Sequence, residues 1–149
     1  MKNEDRLVIA LDVSQEKKQV EQAYLDPTGV SAPLYLNAIW RLNREYGGTI
    51  DTEKLKLVAH FEQTQDIDRL SIVIVCAVST CDQHYVIPGL NLELTLKEGD
   101  YLRLHEGEGV SCKYTLEQIK TFITKGNQTL KNIWIDDDKH VSLCCIGKN

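Results

Sequence analysis

At 149 residues, with 42% hydrophobic and 26% charged side chains, the chain has the make-up of one ordinary globular domain, which excludes a disordered or fibrous design. A formal net charge of −5 and scattered Lys and Arg leave no basic stripe for phosphates, so direct nucleic-acid binding is not expected and the local potential favours cations. No apolar run approaches the ~20 residues of a bilayer span, and the charged start Met1–Arg6 lacks a signal-peptide core, so no membrane association and a cytoplasmic location are expected.

The first predicted element is a strand over Leu7–Val13, ended by the charged Ser14–Lys18. Residues 19–30 read as a connecting excursion, because Asp26-Pro27-Thr28-Gly29 is a turn signature. Ser31 caps a helix with Pro33 in its first turn and Tyr35, Ile39, Leu42 and Tyr46 at helical spacing, flanked by Leu36 and Trp40. Gly47-Gly48 stops it. A partly covered strand follows at Leu55–Phe61. After a connection over Gln63–Arg69, the β-branched run Leu70–Val78 makes a central strand.

The second half repeats this order. Leu90, Leu92, Leu94 and Leu96 alternate with polar residues, and beyond the Glu98-Gly99-Asp100 turn Leu102 and Leu104 do the same. Tyr101, Arg103 and His105 fall on the opposite alternation face, toward solvent or a cleft. Thr115 and Gln118 form a Thr-x-x-Gln capping box with Tyr114 and Ile119 at the staple positions, and Leu116, Ile119, Phe122 and Ile123 supply the buried helix face before Gly126. Two last strands, Asn132–Ile135 and Val141–Ile146, flank the turn Asp136–Lys139. The expected fold is therefore α+β: one domain over residues 1–149, built from two strand-helix-strand-strand units at about 5–80 and 88–147, forming an antiparallel sheet with two helices on one face.

Few residues carry a chemical signature. Cys76, Cys81, Cys112, Cys144 and Cys145 form no CxxC pair and read as reduced thiols. Asp136-Asp137-Asp138 lacks the spacing and glycine of a calcium loop, so no metal site is expected. Gly107-Glu108-Gly109 is too short for a phosphate loop, His105 and His140 have no partner at a diagnostic spacing, and no catalytic residue or cofactor site is assigned.

Gly99, Tyr101, His105 and Gly107, a helix after them and the duplicated element order resemble the GyrI-like, AraC-type effector-binding superfamily, as does Trp40 in the first helix. The resemblance implies a stand-alone, non-enzymatic protein related to transcription regulators, with a cleft for a small hydrophobic or cationic aromatic ligand. Aromatic faces suit such a ligand, and the expected ligand-binding residues are Trp40, Tyr46, Tyr85, Tyr101, His105 and Trp134. Ser142 stands where many relatives carry a buried glutamate, leaving Glu62, Glu93 or Asp136 as substitute acids. Alternatives on the same resemblance are an inhibitor or regulator of a partner protein and a small-molecule hydrolase.

Overall fold

The computed structural model describes residues 2–25, 28–105 and 111–148. The expected turn residues Asp26 and Pro27, and Gly107 with the Gly107–Gly109 stretch, lie outside the described residues.

The class is α+β, with three α-helices among the described residues and mostly antiparallel sheets. In chain order the elements are β1 (Arg6–Asp12), α1 (Lys17–Tyr24), α2 (Ser31–Tyr46), β2 (Leu55–Glu62), β3 (Ser71–Ser79), β4 (Gln83–Ile87), β5 (Leu92–Leu96), β6 (Tyr101–His105), β7 (Cys112–Lys113), α3 (Leu116–Lys125), β8 (Gln128–Ile135) and β9 (Val141–Lys148). The strands distribute over three sheets. Among the described residues no helix is long and apolar enough to cross a membrane.

Two compact units are woven from separate stretches of chain. The first comprises Met1–Val20, Glu62–Ile72 and Glu108–Asn149, and the second Glu21–Phe61 and Val73–Gly107. In the first unit β9 is the middle strand, antiparallel to β1 on one side and β8 on the other. Val13, Leu11, Cys144, Ile146, Leu130 and Ile133 meet Ile119 and Ile123 of α3 in one core. Thr115 and Gln118 make the expected capping box, satisfying two amides at the start of α3. The buried Gln118 goes further: its Nε2 donates to the carbonyls of Asp66 (2.9 Å) and Arg69 (2.6 Å), tying the 62–72 connection to the helix. Lys113, also buried, reaches Asp12 at 2.6 Å, so its charge is compensated where it enters the interior.

The second unit has its own core. Ile39, Leu36 and Leu42 of α2 pack with Leu55 and Leu57 of β2, Ala77 of β3, Tyr85 and Ile87 of β4, and Leu96 of β5. Gly47 ends α2 in the left-handed region at φ 69°, its N–H on the Leu42 carbonyl. Gly99 turns the chain between β5 and β6 at φ 89°. Both stops follow from glycine's lack of a Cβ.

Three local readings differ. α1 forms where the excursion was expected, because Lys-Lys-Gln-Val-Glu-Gln-Ala favours helix although only Val20 is buried. Ser31 is the first helical residue, with Val30 in the cap position before it, and its hydroxyl donates to the Tyr24 carbonyl at the end of α1, 3.3 Å away. β4 pairs with β5 through the alternation of buried Gln83, Tyr85 and Ile87, while Leu90 falls in a 3₁₀ turn and not in the strand.

Candidate functional site

The β3–β6 ladder carries an irregularity that decides where His105 sits. Leu102 lies opposite Ala77 and Arg103 opposite Cys76, but His105, not Leu104, lies opposite Val75, because the register shifts between Val75 and Cys76. Residues directly opposite share a face. The extra residue therefore moves His105 from the face of Tyr101 and Arg103, where strict alternation puts it, to the face of Val75 and Ala77. Bulges re-aim side chains in this way.

There the imidazole meets two aromatic rings. Tyr24, the last residue of α1, is 6.2 Å away between ring centroids at a tilt of 48°, and Tyr35 of α2 is 5.9 Å away, edge-on at 72°. Burial, and to a lesser extent Tyr24, push the Tyr35 hydroxyl above its ordinary range, so it stays protonated. Nε2 of His105 is buried with no hydrogen-bond partner among the described residues. A desolvated ring nitrogen without a partner costs free energy, and such a group in an aromatic setting is suited to hydrogen-bond a ligand N–H.

The other expected ligand residues are placed differently. Tyr85 lies in the core of the second unit, its hydroxyl donating to Gln83 Oε1. Trp40 is partly exposed and donates its indole N–H to Thr52 Oγ1 at 3.3 Å. Tyr46 is also partly exposed, and its backbone packs so closely on Gly89 that a Cβ there would come within 2.9 Å. Tyr101 is exposed beneath the Arg103 guanidinium, 5.8 Å from its ring centroid. Trp134 belongs to the first unit and is exposed on β8. Of the six, His105 alone is recorded against other aromatic rings. Its neighbours Tyr24 and Tyr35 were not among the expected residues: one fell in a stretch read as a loop, the other on a helix face read as core.

The substitute acids are surface groups. Glu62 is exposed at the end of β2, and Glu93 is exposed near His84, at 3.9 Å. Asp136 accepts the amides of His140 (2.8 Å) and Val141 (2.7 Å), which hold its carboxyl below the usual range and close the β8–β9 turn. Asp136, Asp138 and His140 could bring three ligand atoms within 4.8 Å of one another, but both carboxylates are exposed and Asp136 is committed to the turn. Ser142 is fully buried and donates to the Leu11 carbonyl at 3.3 Å, a strand-pairing role. Within the first unit a cavity of about 520 Å³ opens between Val13, Tyr114, Leu116 and Ile135, with Gln15, Asp137 and Lys139 among its polar residues.

A family model described as histidine-specific methyltransferase, SAM-dependent, matches residues 1–148. No curated protein matches the chain. The family match overturns the GyrI-like resemblance and, with it, the stand-alone effector-binding role, the link to transcription regulation, the inhibitor and hydrolase alternatives, and the hydrophobic or cationic effector. The short motif misled for a physical reason. Gly99 answers a need common to tight turns, and Tyr101 is an exposed strand residue.

Proposed function

The chain belongs to the family of histidine-specific, SAM-dependent methyltransferases, and from that premise we propose that its part in the reaction is to receive the histidine substrate, at His105, Tyr24 and Tyr35. A nitrogen that accepts a methyl group must be held in place and must present a lone pair free of its proton. The orphaned Nε2 of His105 can accept that N–H, and the two tyrosine rings offer their electron-rich faces to a nitrogen carrying positive charge. The observation that carries this reading is the buried, unpartnered Nε2 within a family defined by histidine as substrate. A reducing compartment, the cytoplasm, suits five cysteines that form no disulfide.

SAM supplies the methyl group when bound, and the described lining of the first-unit cavity does not fit it. Its amino-acid end calls for backbone amides cleared by glycine, and its ribose for an acceptor carboxylate beside a flat apolar slot. No glycine lines the first-unit cavity. The start of α3 beside it is closed by the Thr115–Gln118 box, and Asp136 is occupied with turn amides. The strand ladders β1–β9, β8–β9, β3–β6, β3–β7 and β4–β5 all run antiparallel, which leaves no crevice at the ends of adjacent parallel strands in them. No step through the cofactor is therefore assigned to these residues.

Calorimetric titration with L-histidine, and with L-glutamine as a control, tests the proposal. Saturable heat is expected for histidine alone, lost in His105→Phe with the circular dichroism spectrum unchanged. Equal uptake of both amino acids, or retention of histidine binding by the variant, refutes it.

A further inference from the structure

The β1–β9–β8 sheet of the first unit buries one face and leaves the other bare. α3 packs through Ile119 and Ile123 on Cys144 and Ile146, and alternation sets Val141, Leu143 and Cys145 of β9 on the opposite face. The register carries that face sideways: Val8 lies opposite Cys145, Ala10 opposite Leu143, and on the other side Trp134 also lies opposite Leu143. A sheet face turned to solvent ordinarily alternates to polar residues. Here Val8, Ala10, Trp134, Val141 and Leu143 are all exposed, Val8 at 56% and Trp134 at 51%, with Asn132 as a polar neighbour.

The two ends of this face carry opposite charge. At one end Arg6 lies opposite Gly147, and the Lys131 side chain crosses the same glycine: a Cβ there would stand 2.6 Å from Lys131 Cε and 3.5 Å from Arg6 Nη1. At the other end the β8–β9 turn presents Asp136, Asp137 and Asp138, all exposed, against the single cation of Lys139. Asp136, two residues beyond Trp134, continues the same side of the strand, and amide hydrogen bonds favour its ionised form. Asp12, at this end of β1, is already paired with Lys113. From Val141 to Gly147 the strand spans ~20 Å, against a screening length of ~8 Å at physiological salt, so each end acts as a separate charge.

We propose that a second copy of the chain covers this face, the two sheets packed face to face about a two-fold axis that runs across the strands. That rotation sets the basic end of each copy on the acidic turn of the other and brings Leu143, near the middle, close to its own counterpart. Apolar side chain on the order of 400 Å² per copy leaves water, ~800 Å² for the pair, and the charged ends carry the total past the ~1,000 Å² that a specific interface clears. An unrelated apolar partner could cover Trp134 and Leu143, whereas a second copy matches both charged ends by symmetry alone. The contact lies within the first unit and is independent of His105, which belongs to the second.

Sedimentation equilibrium of the full chain over a concentration series tests the proposal; a monomer–dimer equilibrium in the micromolar range is expected. Leu143→Lys and Trp134→Glu alter exposed residues and should each weaken dimerisation by about ten-fold or more, with the circular dichroism spectrum unchanged. Charge reversal is the sharper measurement. Arg6→Glu with Lys131→Glu makes both ends acidic, and Asp137→Lys with Asp138→Lys makes both ends basic, so each double variant alone should stay monomeric where the wild type pairs. Mixed in equal amounts they should form a heterodimer, because every end again meets its opposite, and recovery on mixing excludes misfolding as the cause of the loss. A wild-type chain that stays monomeric throughout the series would leave the face to a different partner and overturn the proposal. So would a dimer indifferent to Leu143→Lys and Trp134→Glu, or double variants that behave alike whether separate or mixed.

Discussion

Replacing His105 by Phe should make the protein more stable while removing its affinity for histidine. Nε2 of His105 is buried and has no partner among the described residues; a polar atom in that state costs about 1–3 kcal/mol relative to its hydrated form. Phenylalanine fills nearly the same ring-shaped space without that cost. Its slightly larger ring must fit beside Tyr24 and Tyr35, whose centroids lie 6.2 and 5.9 Å from that of the imidazole, and the crowding offsets about 1 kcal/mol of the gain. A net stabilisation of about 1 kcal/mol corresponds to a rise in melting temperature of roughly 2–4 °C for a chain of this size. Thermal and urea unfolding of the two proteins measure it, with the dependence on urea concentration unchanged so that the shift reports stability alone. A fall in melting temperature of similar size would mean that the nitrogen has a partner in solution, and the argument for a ligand-accepting imidazole would fail. Stability gained with affinity lost is the pattern of a group retained for function.

Gln118→Leu should cost about 3 kcal/mol in urea unfolding, because the amide of Thr115 and the carbonyls of Asp66 and Arg69 all lose a buried partner. Gln118→Glu keeps the contact with Thr115 but turns carboxylate oxygen toward the two carbonyls, so it should recover little of the loss; near-wild-type stability in either variant would contradict the anchoring role. The third prediction concerns acid. Hydrogen bonds from the amides of Val141 and His140 lower the pKa of Asp136 in the folded state. The group therefore contributes stability above the unfolded carboxylate value, lost as pH falls below about 4. Melting temperature followed against pH should drop more steeply for the wild type than for Asp136→Asn over that range, and parallel curves would show that the β8–β9 turn does not depend on this ionisation.

Where a signal is local, the chain states its structure openly. Thr115 and Gln118 announce the start of α3 three residues apart, Gly47 its counterpart at the end of α2, and the β-branched run within β3 its buried place. β4 went unread because only five residues alternate there, hemmed in by Pro88, and α1 because one buried residue makes no stripe. The site was less legible still. Alternation sets His105 on the face of Tyr101 and Arg103, toward solvent or a cleft, and the register shift opposite Val75 moves it to the other face. A bulge is a property of two strands together and leaves no mark in the spacing of one. Tyr24 and Tyr35 come to it from two different helices.

Composition, turn chemistry and periodicity thus determined the α+β class, most of the strands, and two of the three helices, since each depends on dihedral preference or on one face of one element. The pairing of β1 with β9 from the far end of the chain, the interleaving of the two units, and the open sheet face were decided by tertiary structure alone. A strand's alternation says that one side is to be buried and not against what. The partner is selected by summed burial and backbone pairing across long stretches of chain, and that sum exists only once the chain is folded.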